Sequence, residues 1–144
     1  MRYSDVPMGV SIQALIVRDG KTLLGKKRVG PGAGFLDLPG GFVDPKETLE
    51  TALRREVKEE TNGCKVIKHK YFFSIVQYYA DRQILTVVFL CEIEGEPQDS
   101  DEMNEFEWVS EFQWVSREIP LSTEFNGAKI ALKKYFSSSK SSSI

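Results

Sequence analysis

The stretch GGFVDPKETLETALRREVKEETNG, from Gly40 to Gly63, decides how this chain is interpreted. The spacing of its apolar residues predicts one helix from about Pro45 to Thr61, with Asp44 as its cap and Glu47 as the capping partner three residues later. At a turn of about 100° per residue, the apolar side chains share one face of this helix. We expect that face to be buried, and its members are Leu49, Ala52, Leu53 and Val57.

Three glutamates border the same face near the end of the helix. Glu60 falls about 40° from Glu56, and Glu59 about 60° away on the other side. Carboxylates there oppose the negative end of the helix dipole and raise one another's pKa values. A bound divalent cation would remove both conflicts, and ligands that offer only oxygen favour Mg²⁺ or Mn²⁺. Pairing with neighbouring cations is the alternative: Arg54, Arg55 or Lys58.

The pair Gly40-Gly41 precedes the helix by a few residues. A tight turn is the ordinary reason for two adjacent glycines. Beside the glutamates, we favour a close approach of the backbone to a metal or a phosphate, with the Gly41 carbonyl as a ligand.

The whole chain has the composition of a globular protein, with 144 residues, 41% hydrophobic and 28% charged. We predict one domain over residues 1–136 and a disordered Ser-rich tail over 137–144. A net charge of −2 argues against a nucleic-acid partner. No apolar run approaches the roughly 20 residues that span a bilayer, so we expect no membrane partner. Cys64 and Cys91 suit buried, reduced thiols in a cytoplasmic protein, with one disulfide between them as the alternative. We expect a monomer or a homodimer.

The remaining sequence alternates between strand and turn signals. Asp19-Gly20 between apolar runs predicts a hairpin. Residues 35–38 favour a short strand, 64–79 and 84–94 two long strands around a turn at 80–83, and 106–110 another strand after an acidic loop. A last helix is expected within 122–136. Strands on both sides of one helix, with a second helix at the end, predict an α+β fold in which helices cover both faces of a mixed sheet.

The stretch also resembles the motif of the Nudix hydrolases, the MutT-like family. That pattern is a glycine, five residues, a glutamate, seven residues, then Arg-Glu-apolar-any-Glu-Glu-any-Gly-apolar. This chain supplies Gly41, Glu47, Arg55, Glu56, Val57, Glu59 and Glu60 at those spacings. It departs once, because Asn62 stands at the late glycine. We expect Asn62 to end the helix in a left-handed conformation, which asparagine tolerates nearly as well as glycine.

The resemblance implies the Nudix α/β/α sandwich and roles for named residues. Glu56, Glu59 and Glu60 would bind divalent metal together with Gly41, and Glu47 would support the site by pairing with Arg55, unless it only caps the helix. The catalytic base would be Glu56 itself or a glutamate from a distant loop. Glu102 is the candidate there, with Glu105 second; a solvated acidic loop is the alternative.

Substrate-binding residues are predicted from the flanks of the motif. Arg28 and Lys26 alternate along a strand end and could meet substrate phosphates, although exposed charges on an edge strand are the ordinary interpretation. The aromatic residues Phe35, Phe42, Tyr78 and Tyr79 could stack on a base or could belong to core or surface. Phe35 and Tyr78 are the two that we carry forward as candidates.

The resemblance implies an enzyme that hydrolyses phosphoric anhydride bonds in a small nucleotide. The favoured substrate is a nucleoside diphosphate linked to another group, such as a dinucleotide, ADP-ribose, an NADH-like compound or a nucleotide sugar. A nucleoside triphosphate pyrophosphohydrolase is the alternative. A third possibility is a domain that senses nucleotides without cleaving them, but such domains often lose glutamates of the motif, and this chain keeps them all.

Overall fold

The computed structural model describes residues 8–79, 82–122, 126–138 and 144. Its strands and helices lie near the hairpin and motif signals of the sequence. The elements in chain order are β1 Met8–Arg18, β2 Lys21–Lys27, β3 Leu36–Asp37, β4 Gly40–Phe42, α1 Leu49–Glu60, β5 Lys65–Tyr79, β6 Arg82–Glu94, β7 Met103–Val109, α2 Glu111–Ser116 and α3 Gly127–Ser137.

One mixed sheet holds the strands together in the order β3-β2-β1-β6-β5, while β4 pairs with β1 and β7 with β2. β1 and β6 are parallel, and the other pairs are antiparallel. The predicted hairpin is confirmed: Arg18 pairs with Lys21 across Asp19-Gly20, whose positive φ angles of 51° and 76° suit a two-residue turn.

The core lies on both faces of this sheet, because neighbouring residues of a strand point to opposite sides. On one face, Ile12, Ala14 and Ile16 pack with the buried side of α1. On the other face, Leu15 and residues of β6 pack against α3. The predicted α+β fold, with a mixed sheet flanked by helices, is therefore confirmed. None of the described helices has the length and apolar character needed to cross a membrane.

Helix α1 begins four residues later than the sequence indicated, so the prediction of a start near Pro45 with Asp44 as cap is wrong. Lys46 has a φ of 67°, which a helix does not allow. The cap is Thr48, whose hydroxyl accepts a hydrogen bond from the Thr51 amide at 3.1 Å. Leu49, predicted to be buried, stands in the first turn and is 39% exposed.

Other boundaries also shift. β7 starts at Met103 rather than Phe106, and α2 was not predicted at all. Arg82 and Gln83 belong to β6 rather than to the predicted turn, of which residues 80 and 81 lie outside the described part. α3 begins at Gly127, and residues 123–125 of the predicted helix are not described. The predicted domain end at residue 136 falls within α3, and positions 139–143 of the predicted tail lie outside the description.

The end of α1 forms the turn expected from its sequence. Asn62 has a φ of 55° and is followed by Gly63 at 121°, so the left-handed conformation predicted for Asn62 is confirmed and extends to its neighbour. The Gly63 amide donates to the Lys58 carbonyl at 2.8 Å, and the Asn62 amide to the Glu59 carbonyl at 3.4 Å. This pair of bonds is the Schellman arrangement that closes many helices.

This turn predicts how substitutions at Asn62 change stability. Asn62→Gly should leave the free energy of unfolding nearly unchanged, because glycine adopts positive φ without strain. Asn62→Val should lower it on the order of 1–2 kcal/mol, since a β-branched side chain clashes in that conformation. Thermal melts of the two variants beside the parent chain measure the difference. Equal melting temperatures would show that Gly63 alone makes the turn.

Candidate active site

The last two turns of α1 place two glutamates inside the protein. Glu56 and Glu60 are one turn apart and are only 7% and 3% exposed. They lie on the helix face that also carries Leu53 and Val57, as their angular positions predicted. The sequence therefore buries carboxylates where an apolar helix face would ordinarily continue.

Glu60 accepts one hydrogen bond from the Gly40 amide of β4, at 2.6 Å from its Oε1. Burial is the largest influence on its carboxyl, and together with the nearby carboxylates of Glu56, Glu102 and Asp37 it raises the pKa of Glu60 to about 8, against the opposing Gly40 bond. No ion pair joins Glu60 to any residue that the structure describes. When Glu60 is ionised, its negative charge is therefore buried with no positively charged side chain paired to it among the described residues.

Glu56 has a partial counter-charge. Its Oε1 accepts from Nη1 of Arg55 at 2.8 Å. Burial nevertheless raises the pKa of Glu56, and the carboxylates of Glu59 and Glu102 add to the increase, while Arg55 opposes it. One guanidinium is thus shared over a group of carboxylates that carries more negative charge than it can offset.

The two glycines of β4 let the strand approach these carboxylates. A Cβ atom at Gly41 would lie 2.5 Å from Oε1 of Glu56, and one at Gly40 would collide with the Ile12 carbonyl of β1. A side chain at Gly40 would push against the backbone of β1, and a side chain at Gly41 would push the Glu56 carboxylate out of its position. The alternative of a tight turn does not hold, because both glycines lie in a strand, and the Gly41 carbonyl as a metal ligand stays a prediction.

A third carboxylate comes from the loop between β6 and β7. Glu102 is exposed, and oxygens of Glu56, Glu60 and Glu102 lie within 4.8 Å of one another. The fold thus unites two residues of the motif with the loop glutamate proposed from the sequence. Glu105, the second candidate, points elsewhere and forms an ion pair with Lys26 at 3.3 Å.

Glu59 stands outside this group of three. Its side chain is 53% exposed, and its Oε2 lies 3.5 Å from Nη1 of Arg55. Its position at the edge of the buried arc allows the side chain to turn to solvent. Glu59 and Glu102 do line one common open cavity, together with Arg28 and Asn62.

The predicted pairing of Glu47 with Arg55 is present and bidentate. Nε and Nη2 of Arg55 donate to the two Glu47 oxygens at 2.7 and 2.9 Å. This contact is the main reason why the pKa of Glu47 falls to about 2. Glu47 also accepts from the Asp44 amide at 2.9 Å, so it closes the turn before α1 rather than capping the helix. The same guanidinium donates to the Phe42 carbonyl at 3.1 Å, which ties the helix to β4.

A cleft opens beside Glu60 on the α3 face of the sheet. Its floor contains Asp37, whose Oδ1 accepts from the Leu38 amide at 2.8 Å and from Nε2 of Gln13 at 3.1 Å. Its walls combine polar and apolar side chains, namely Ser11, Ile12, Lys27, Phe42, Gln77, Ile84, Thr86 and Met103.

Sequence reasoning missed most of this lining. Asp37 and Gln13 stand alone within apolar strands, and a polar residue in such a run was the signal available. Of the predicted substrate-binding residues, Lys26, Phe35 and Tyr78 are not among the lining residues. Lys27 and Gln77, which are the sequence neighbours of Lys26 and Tyr78, line the cleft instead. Arg28 lies in the other cavity, where its Nη1 donates to the Ser100 carbonyl at 2.7 Å.

The carboxylate group fits a hard divalent cation. Its donors are all oxygens, two of them come from buried carboxyls with raised pKa values, and the available guanidinium does not balance them. The residues that could hold a cation are Glu56, Glu60 and Glu102, with Glu59 and Gly41 at the margin.

Comparisons with known proteins agree with this geometry. Residues 7–133 match the family model of the NUDIX domain. A protein of Methanocaldococcus jannaschii named ADP-ribose pyrophosphatase is 36% identical over 106 residues, which are 69% of this chain and 60% of that protein. A Danio rerio protein named oxidized purine nucleoside triphosphate hydrolase is 38% identical over 91 residues, 62% of this chain and 58% of the relative. The chain thus spans about three fifths of each relative's length.

Solved structures give the same result. The crystal structure of a MutT Nudix hydrolase from Burkholderia pseudomallei has a TM-score of 0.76 and 30% identity, covering 88% of this chain and 96% of that one. The MutT protein of Methanosarcina mazei has a TM-score of 0.73 and 26% identity, covering 92% and 93%.

Asp37 predicts a pH-dependent stability. Burial raises its pKa from 3.8 to about 6, so the folded state binds its proton more tightly than the unfolded state does. The favourable contribution is complete below pH 4 and is lost as the pH rises through 6. Asp37→Asn should therefore stabilise the protein by about 2 kcal/mol at pH 8 and by little at pH 4. Urea unfolding in EDTA at both pH values measures this, and an equal gain at both would contradict it.

Proposed function

The chain belongs to the Nudix hydrolase family, and from this premise we propose that it is a metal-dependent pyrophosphohydrolase. Its proposed substrate is a nucleoside diphosphate linked to another group: a dinucleotide, ADP-ribose or an NADH-like compound, or a nucleotide sugar. The observation that carries the proposal is the burial of Glu56 and Glu60 within 4.8 Å of Glu102, with too little positive charge around them.

The proposed cofactor is Mg²⁺, with Mn²⁺ as a substitute, because both are hard ions that prefer carboxylate oxygens. Glu56, Glu60 and Glu102 would hold it. Glu59 and the Gly41 carbonyl are proposed as further ligands, since Glu59 shares a cavity with Glu102 and Gly41 lies against the Glu56 carboxylate. A divalent cation there would neutralise the charge of the diphosphate and stabilise the charge that develops on its oxygens.

The protein's own groups would orient and deprotonate the reactants. The Gly40 amide fixes the Glu60 carboxylate, and Arg55 fixes that of Glu56, so neither has to reorganise during the reaction. Glu102 is the exposed member of the group, and its oxygen that does not contact the cation is the proposed general base for the attacking water. Glu56 is the alternative base.

The cleft on the α3 face would receive the nucleoside. It begins at Glu60 and Gly41, so a substrate whose phosphates reach the carboxylates would extend its other end over Asp37 and Gln13. Phe42 is 54% exposed and offers an aromatic ring at the mouth of the cleft. Lys27 lines the cleft and would offer a cation to the substrate phosphates.

Two alternatives remain distinct from this proposal. Hydrolysis of a nucleoside triphosphate to a monophosphate and pyrophosphate is supported by the named activity of the Danio rerio relative. A sensor that binds nucleotides without cleaving them is the third reading, and the presence of every glutamate of the motif argues against it. Cys64 and Cys91 are buried and free, which supports a cytoplasmic location.

Glu60→Gln tests the cation site. The amide keeps an acceptor for the Gly40 amide but removes a charged ligand, so activity should fall about 100-fold or more. The melting temperature should hold or rise, because a buried charge is removed. Glu105→Gln is the matched control: it changes a glutamate near Glu102 that pairs with Lys26, and activity should persist. Similar activity in the parent chain and Glu60→Gln would contradict the proposal.

A substrate panel tests the reaction. ADP-ribose, NADH, diadenosine polyphosphates, nucleotide sugars and nucleoside triphosphates are incubated with Mg²⁺ or with EDTA, and products are identified by chromatography. Release of a nucleoside monophosphate from a linked diphosphate, only with Mg²⁺, is the expected result. Pyrophosphate release from triphosphates alone would establish the alternative substrate class, and binding without any product would establish the sensor.

A further inference from the structure

Asn62 does more than end the helix. Its backbone conformation, with a φ of 55°, is one that glycine adopts without cost. Yet its side chain also makes a contact that glycine lacks: Nδ2 donates to the Asp99 carbonyl at 3.1 Å. That carbonyl belongs to the segment 98–103, which carries Glu102.

The same segment is fastened to the end of α1 at two further points. The last carbonyls of a helix have no partner within it, and here the segment supplies two of them. The Ser100 hydroxyl donates to the Glu60 carbonyl at 2.7 Å, and the Gln98 amide donates to the Thr61 carbonyl at 2.9 Å.

On its other side, the segment is attached to the residue that follows β2. The Arg28 amide donates to the Glu102 carbonyl at 2.9 Å, and Nη1 of Arg28 donates to the Ser100 carbonyl at 2.7 Å. The segment 98–103 therefore bridges the helix end and the strand end. Asn62 and Ser100 are the two side chains that tie it to the helix.

Electrostatics explains why the segment has to be held. Asp99, Asp101 and Glu102 lie along it and Glu59 lines the same cavity, so four carboxylates share a space in which Arg28 is the one cation among the described lining residues. Their repulsion would move the segment away from the helix. Neutral hydrogen bonds to helix-end carbonyls and from an amide side chain resist that movement without adding charge.

We propose that the Asn62 side chain, together with Ser100, is a positioning element that holds Glu102 against the carboxylates of α1. The proposal rests on the proposed function for the role of Glu102. It also gives a reason for asparagine at the position where the Nudix motif has glycine: the turn needs only the backbone, and the Glu102 segment needs the side chain.

Asn62→Gly is the decisive variant, because it keeps the positive φ and deletes only the side chain. Asp19→Gly is the matched control, since it makes the same kind of change at another positive-φ turn residue, in the β1–β2 hairpin. Ser100→Ala removes the second side-chain tie. Amide hydrogen exchange of residues 98–103 is measured in EDTA, Mn²⁺ binding is measured by electron paramagnetic resonance, and kcat and KM are measured with Mg²⁺.

In Asn62→Gly we expect faster exchange in 98–103, about threefold to tenfold weaker Mn²⁺ binding and a similar loss of kcat, which is the scale of one lost hydrogen bond. The melting temperature should stay near that of the parent, and Asp19→Gly should change none of these quantities. Ser100→Ala should act in the same direction, and the double variant should lose more than either single one.

Unchanged exchange in 98–103 of Asn62→Gly would overturn the proposal, whatever the metal does. Faster exchange with unchanged Mn²⁺ affinity and kcat would also overturn it, because the segment would then be held without positioning Glu102. If the parent chain binds no Mn²⁺ and hydrolyses nothing, the proposed function fails instead. The exchange data, taken without metal, still decide whether Asn62 holds the segment.

Discussion

The close approach of β4 to its two neighbours is the constraint on which the rest of the structure depends. β4 pairs with β1 on one side and touches α1 on the other; a side chain at Gly40 would collide with the β1 backbone, and one at Gly41 would meet the Glu56 carboxylate. This spacing delivers a backbone amide to Glu60 and leaves room for the Glu56 carboxylate. If the strand and helix were further apart, both carboxyls would lose their fixed positions and admit water.

Burying the carboxylates of Glu56 and Glu60 lowers the free energy of unfolding, and the residues around α1 limit this loss. Arg55 serves several acceptors at once: Glu47, Glu56 and the Phe42 carbonyl. A lysine has one compact ammonium group and could not form the bidentate hydrogen bonds that Arg55 donates to Glu47. Glu60 receives no comparable help, so its ionised carboxylate lowers the free energy of unfolding.

The sequence predicted those features that depend on local patterns. The motif spacing located Glu56 and Glu60, the Asp19-Gly20 pair located a hairpin, and Asn62 was correctly assigned a left-handed conformation. The start of α1 was not predictable in the same way, because the pattern of Asp44 and Glu47 serves equally to close a turn. In the structure, Glu47 pairs with Arg55, which lies eight residues further along the chain.

Which face a strand residue occupies was also beyond local reasoning. The register of β2 with β7 shifts between Leu24 and Lys26, and that of β5 with β6 shifts at two points. Each bulge reverses the alternation of side chains that follows it. Bulges depend on pairing between distant strands, so the choice of Lys27 over Lys26, and of Gln77 over Tyr78, required the tertiary structure.

The parallel pair of β1 and β6 has a consequence for how the chain folds. Residues that touch across this pair, such as Ser11 and Thr86, are 75 positions apart along the chain. Closing such a long loop costs entropy before any contact compensates for it, so topologies of this kind fold slowly. During synthesis, β1 must wait until β6 has left the ribosome, and until then the edge of β1 that pairs with β6 has no strand beside it. The hairpin with β2 and the pairing with β4 are the local contacts that can protect β1 during that interval.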